Sequence, residues 1–334
     1  MDDFRIDVLR GMGKLLLVVP ALAGMLCAAA QPTQVACTLT AAKMDWLVGG
    51  PFIPIVTVAN KGEAPVKLRE LFEVGFPPLK VLVLRPGQTE WRECRRNRPP
   101  FLVRWDTLAP REARNVRGYL FASETDRANP DPDNLFVFDA PGVYGFRVEL
   151  SLPIGEGSAN RRGVAAGETV DVLSNAIQVS AHAPQGREAD AFDVWGEGMR
   201  RNDYTVPLLI LRRDPSILTL LHDHPGSIYT EHVRFFIALG SMVPFEGELH
   251  GRSSFEYQRD LLETVVSHGA EFPLLDEAAL RLAALHNALG RPYTAKVLLR
   301  TVVGVMPDSP VVPKAKEMLP EIEERVRKRQ EARK

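Results

Sequence analysis

No excess of either charge marks this sequence: 41 Lys and Arg stand against 42 Asp and Glu in 334 residues, a net charge of −1. That balance removes the global electrostatic case for a nucleic-acid partner. Long apolar runs are absent too. The best of them, 15–30 (LLLVVPALAGMLCAAA), is broken by Pro20 and Gly24 and has sixteen residues, short of the ~20 that a bilayer-crossing helix needs. Catalytic motifs are also missing. There is no GxSxG elbow, Ser253 and Ser254 having no motif around them, no HExxH helix, and no GxGxxG or GxxxxGK[ST] loop. No catalytic residue and no cofactor is therefore expected. Asn-x-Ser/Thr sequons are absent, and cysteine is scarce, with Cys27, Cys37 and Cys94 the only three.

What is present begins with the same apolar run. It follows Lys14 and ends in Ala28-Ala29-Ala30, small residues that suit a signal peptidase. The expectation is a signal peptide over 1–30, cleavage before Gln31, and export to the periplasm or the cell exterior. A permanent anchor is the competing reading. The stretch before the run mixes acids with bases, whereas a start at Met12 would give the better leader, MGKLLLVV. Lipidation is not expected: Leu26 precedes Cys27 where a small residue is wanted, and Gln34 stands three before Cys37. The segment 1–30 carries three acids and three bases, so the charge balance is the same without it. Cys37 and Cys94 remain as a disulfide candidate in an oxidising compartment, against two reduced or buried thiols.

The length argues for two domains, and the hydrophobic pattern changes once. From 35 to about 183, short β-rich runs sit between turn signals such as NKGEAP, RPGQ and APG. The runs are 35–41, 52–60, 66–72, 79–85, 101–105, 115–122, 135–138, 143–152 and 170–180. Short strands punctuated in this way predict an antiparallel β-sandwich over 31–183. After a linker at 184–190, helical periods take over in 191–334. Helices are predicted at 188–200, 215–222, 229–242, 254–268, 276–289, 293–305 and 312–329. In 276–289, Ala279, Leu282, Ala283 and His286 share a face, and Gly290 follows as a helix-ending glycine.

Three phrases in the first half, VTVANKGEAPVKL (56–68), LAPRE (108–112) and FDAPGVYGFRVEL (138–150), resemble immunoglobulin-like domains of bacterial exported proteins. The unit 275–310 resembles a tetratricopeptide repeat. Ala283 and Ala295 fall at its small positions, Gly290 in its turn and Pro307 at its end, while Ala279 and His286 replace its usual aromatics. A degenerate earlier unit lies in HPGSIYTEHVRFFIALGSM (224–242). Together these imply an immunoglobulin-like sandwich followed by a tetratricopeptide-like array that contacts another protein or a peptide.

Several clusters are candidates for chemistry. His222, His224 and His232 form the densest histidine group, with Asp223 and Glu231 nearby, and are the metal-site alternative; a repeat joint at His224-Pro225 is the preferred explanation, since the spacing fits no metal-binding helix. Asp126, Asp131, Asp133 and Asn134 read as a solvated loop rather than a calcium site, since the glycine and terminal glutamate of an EF-hand are lacking. Trp91, Arg92, Arg95, Arg96 and Trp105 make a basic, aromatic stretch, and Arg161 and Arg162 lie in a glycine-rich loop. These seven residues are the binding candidates, for an anionic glycan or a protein. The tail 325–334 (RVRKRQEARK) is basic, so membrane contact is expected only there or through the signal segment. The expected function is a non-catalytic envelope protein that binds or scaffolds a protein or peptide. The alternative is an enzyme or ligand receptor with its site between the domains.

Overall fold

The computed structural model describes residues 34–66, 79–94, 108–120, 136–153, 169–202, 213–239, 253–267 and 272–332. The strands are β1 (Val35–Ala41), β2 (Asp45–Leu47), β3 (Pro54–Asn60), β4 (Leu79–Leu84), β5 (Arg92–Glu93), β6 (Ala113–Arg117), β7 (Gly142–Pro153), β8 (Thr169–Leu173) and β9 (Ile177–His182). They form two sheets. One is three-stranded and antiparallel, in the order β1-β3-β6. The other has six strands, in the order β2-β9-β7-β4-β5 with β8 on β7.

The second sheet overturns the immunoglobulin-like sandwich expected from the sequence, because it is mixed. β2 runs parallel to β9, while the other pairs are antiparallel. β2 has three residues, too few to display alternation, and no sequence run announced it. The run 170–180 in turn is two strands rather than one. At the break, Ser174 Oγ accepts from the Val148 N–H (2.8 Å), and Asn175 accepts from the Leu39 N–H (2.8 Å) and donates to the Leu39 carbonyl (3.0 Å). The chain leaves β8 there to bridge one sheet to the other.

Alternation elsewhere follows burial. In β7, Tyr144, Phe146, Val148 and Leu150 point inward, and in β3 Val56 and Val58 do so. The centre is aromatic: Phe52 stacks on Phe146 at 3.7 Å between centroids, and Phe138 meets both edge-on. Asn60, fully buried, organises the turn after β3. Its Nδ2 donates to the carbonyls of Ala64, Leu108 and Ala109, and its Oδ1 accepts from the Gly62 N–H.

The helices are α1 (Arg187–Arg201), α2 (Pro215–Asp223), α3 (Ile228–Leu239), α4 (Ser254–Ser267), α5 (Leu275–Ala288), α6 (Pro292–Val305) and α7 (Val312–Glu331). Their bounds lie close to the sequence expectations, and α1 starts inside the segment expected to be linker. Gly290 takes φ 72° after α5, and the Arg291 N–H behind it reaches the His286 carbonyl at 2.7 Å, a left-handed cap that glycine adopts without strain.

The helices are not a free-standing array either. One hydrophobic core runs from Leu39, Val56 and Phe146 of the sheets through Trp195 of α1 and Tyr229 and Phe235 of α3 to Leu282 of α5. A second, smaller core joins α5, α6 and α7. α3 is sunk in the first core, with every residue from Tyr229 to Ala238 buried. Apolar burial on this scale, at about 25 cal/mol per Å², fixes the helices to the sheets.

Candidate functional site

The chain just after β2 is where sheet and helices meet. The Val48 carbonyl accepts from the Tyr229 hydroxyl (2.6 Å), and the Gly49 carbonyl accepts from the Trp195 indole N–H (3.0 Å). Gly49 has φ 77°, and a Cβ there would stand 2.2 Å from the Phe192 ring of α1, so no larger residue fits that approach. Beside this joint opens a cleft of about 280 Å³. β2 and the turn before it supply Lys43, Asp45, Trp46 and Leu47 to its lining. Ile228, His232 and Pro273 line it too, with His182 and Glu188.

The polar groups of the cleft are mostly spoken for. The Lys43 ammonium lies 5.1 Å from the centre of the Trp46 ring, whose indole N–H donates to the Lys43 carbonyl. His182 Nε2 is 3.4 Å from Asp45 Oδ1 on the exposed surface. Glu188 accepts from the Ser227 hydroxyl (2.7 Å) and from the Ile228 N–H (3.3 Å), which places a carboxylate at the positive N-terminus of α3. His232 is 1% exposed, and its Nδ1 shares a hydrogen bond of 2.5 Å with the Tyr119 hydroxyl. Burial, helped by the charge of Lys43, pushes the His232 imidazole down to about 3. Burial also raises the Tyr119 phenol well above its ordinary range. The pair is therefore neutral at ordinary pH: it is a hydrogen-bonded link from the end of β6 to α3 and carries no charge into the cleft.

Two residues before Tyr119, Arg117 makes a second link. Its guanidinium donates to both oxygens of Asp276 at the start of α5 (2.8 and 2.5 Å), and Ser309 also donates to that carboxylate. Burial pushes the Asp276 carboxyl up, but Arg117 and Ser309 outweigh it and hold the group below the usual carboxylate range.

The histidines weighed as a metal-site alternative do not converge. His222 is exposed on α2, His224 caps that helix, and His232 is turned inward to Tyr119. Among the described residues no three His, Cys, Asp or Glu side chains are grouped to hold a metal ion. Of their acidic neighbours, Glu231 is buried beside Arg234 (2.6 Å), which also donates to the Pro225 carbonyl. Both cysteines of the disulfide candidate are free thiols in this structure. Cys37 lies on β1 of the smaller sheet, whereas Cys94 follows β5 at the far edge of the larger one, and both thiols are buried. Burial pushes Cys37 up to about 11, which makes it an inert thiol.

Of the binding candidates, Trp91 is half-buried with the Arg147 guanidinium 4.4 Å from its ring centre, and Arg92 is exposed on β5. Arg95, Arg96, Trp105, Arg161 and Arg162 lie outside the described residues, as do 1–30 and the acidic loop with Asp126 and Asp131. The basic tail folds back on its neighbours. Arg325 reaches Glu321 and Asn287, Arg329 donates to the Gly290 carbonyl, and Arg327 and Lys328 pair with Glu324. No helix among the described residues is long and apolar enough to cross a membrane. The cleft residues Lys43, Asp45, Trp46, His182, Glu188 and Pro273 drew no notice in the sequence. They come from separate segments, and no spacing rule connects them.

No family model and no curated protein matches this chain. Among solved structures it is similar to the sporulation control protein Spo0M from Bacillus subtilis (TM-score 0.24, 10% identity), over 51% of this chain and 56% of that one. It is also similar to AvmM, described as catalysing macrocyclization in alchivemycin A biosynthesis (TM-score 0.23, 11% identity, 46% of this chain and 91% of that one). A third likeness is to a β-glucosidase from Listeria innocua (TM-score 0.19, 12% identity, 42% and 16%). The chain thus spans about half the length of the first of these. Overlaps this loose carry nothing from those proteins to this one.

Proposed function

We propose that this is an exported, non-catalytic protein of the cell envelope, which holds a protein or peptide partner on its helical layer. The observation that carries the reading is the outward face of α6. Val297 is 64% exposed and Val305 71%, with Tyr293, Thr301 and Gly304 exposed beside them. Positions 293, 297, 301 and 305 fall four apart and so share one side of the helix. An uncharged strip of this kind on a helix held rigid by two cores is how a docking surface is built. Arg300, at the margin of the strip, is paired with Glu323 of α7 (2.6 Å).

The test is crosslinking of the tagged chain in its own envelope, compared with the double variant Val297→Asp, Val305→Asp. Both positions are exposed, so the variant should fold normally. One dominant partner that disappears with the variant supports the reading. Equal recovery by the two proteins removes α6 as the surface.

A second reading, a ligand receptor with its site between sheets and helices, is favoured by the position of the cleft, since sites commonly form at such joints. A stoichiometric small molecule found by native mass spectrometry in the purified protein would support it.

A further inference from the structure

β2 is the end strand of the six-stranded sheet, and its two sides differ. On the β9 side, the Ser180 N–H donates to the Met44 carbonyl (2.8 Å) and the Val48 N–H donates to the His182 carbonyl (3.0 Å). Successive residues of a strand direct their peptide groups to opposite sides. Residues 44, 46 and 48 therefore serve β9, while Asp45 and Leu47 turn theirs outward. The Leu47 carbonyl accepts from the Gly50 N–H (3.0 Å). The N–H and carbonyl of Asp45 and the N–H of Leu47 have no backbone partner among the described residues.

An open edge is usually blunted, and this chain does so elsewhere. On β1, the Asn175 amide takes both the N–H and the carbonyl of Leu39, in the manner of a neighbouring strand. β2 receives no such side chain among the described residues. Its residues instead line the cleft, together with Ile228, Pro273 and His232.

We propose that the cleft takes an extended peptide segment, which adds as a further strand to the open edge of β2. The donors and acceptor of Asp45 and Leu47 supply the main-chain bonds, and their alternation admits an extended backbone as occupant. Three residues of strand limit the paired stretch to roughly 10 Å. Ile228 and Pro273 line the same cleft and favour an apolar side chain on the bound segment. Lys43 and the Asp45–His182 pair also line it, so polar residues beside that side chain are accommodated. The inference rests on the binding reading above and adds to it a site with its class of ligand. No α6 residue lines the cleft, so the two surfaces are tested separately.

The probe is a random twelve-residue peptide library displayed on phage and selected on the immobilised full-length protein. The strongest binder is then synthesised, both unmodified and with backbone N-methyl groups introduced one residue at a time. The edge offers one outward acceptor, the Asp45 carbonyl, so N-methylation of the one peptide residue whose N–H meets it should weaken binding at least about tenfold. The residues on either side of it, whose N–H groups turn away from β2, should stay within about twofold. On the protein, Asp45→Pro removes an outward N–H without touching a β9 bond, a place where edge strands accept proline. It should weaken binding by a similar factor, while Asp45→Ala, which keeps the N–H, should not. The N-methyl series uses the unaltered protein, so it decides the matter even if Asp45→Pro misfolds. A flat N-methyl profile, or no peptide enriched over the bare support, overturns the proposal. The α6 crosslinking result stands or falls independently of either.

Discussion

At the scale of single residues, the most consequential group is His232. It sits 1% exposed between the Tyr119 hydroxyl and the Phe272 ring, and burial holds its imidazole at about 3. An unfolded histidine titrates near 6.5, so the unfolded chain takes up a proton that the folded chain refuses. Above about pH 6.5 neither state is protonated and the group is neutral towards stability. As pH falls from there towards 3, stability falls, by up to roughly 1.4 kcal/mol per pH unit for this one proton. Urea denaturation at pH 7, 6, 5 and 4.5 should show that slope, and His232→Gln should flatten it by about one proton. Identical slopes in the two proteins would show that His232 is not the group responsible. The carboxylates of the same cleft are already held, Asp45 by His182 and Glu188 by the start of α3.

At the scale of elements, short connections decide more than long ones. Ser174 and Asn175 part β8 from β9 and join the two sheets through Val148 and Leu39. Asn175→Ala removes two hydrogen bonds to one residue of an edge strand and should cost about 1–2 kcal/mol. It would also reopen the β1 edge, so size-exclusion chromatography at rising concentration should show self-association that the unaltered protein lacks. An unchanged melting temperature and a monomer throughout would mean that the Asn175 bridge is ornamental. The helices were legible because 3.6-residue periods persist over 9 to 20 residues, long enough to average out exceptions. The turn at Asn60 was legible too, since its asparagine and glycine carry the geometry themselves. β2 and β5, with three residues and two, hold no period to read.

At the scale of the molecule, one buried ion pair ties the smaller sheet to the last helices. Removing Arg117 leaves the Asp276 carboxylate buried with no opposing charge, held only by the Ser309 hydroxyl and the Glu277 N–H, and Arg117→Ala should cost about 3–5 kcal/mol. The double variant Arg117→Met, Asp276→Leu should recover much of that loss, because no uncompensated charge remains. Thermal denaturation of the two singles and the double closes the cycle; additive losses would show that the groups act separately. The same carboxyl is held below its ordinary range, so its contribution is complete above about pH 4. It is lost as pH falls from there through the lowered pKa of the folded group. With the pair intact, the outward face of α6 and the cleft beside β2 belong to one rigid framework. Peptide bound in the cleft should therefore raise the melting temperature of the whole chain in a single transition.

The sequence by itself determined the alternation of β7, the seven helical periods, the glycine cap at Gly290 and the change of pattern near residue 184. Each is set within a few residues, by the side-chain period of the local backbone or by the one conformation that glycine tolerates. Tertiary structure alone decided that β2 lies parallel to β9 and that α1 and α3 share a core with the sheets. It alone turned His232 towards Tyr119 instead of towards His222 and His224. Those outcomes depend on pairings such as Asp45 with Ser180, or Arg117 with Asp276, between residues more than a hundred positions apart. What selects such pairings is the total apolar surface removed from water and the partner found for each buried polar group, quantities that exist only once the chain has closed on itself.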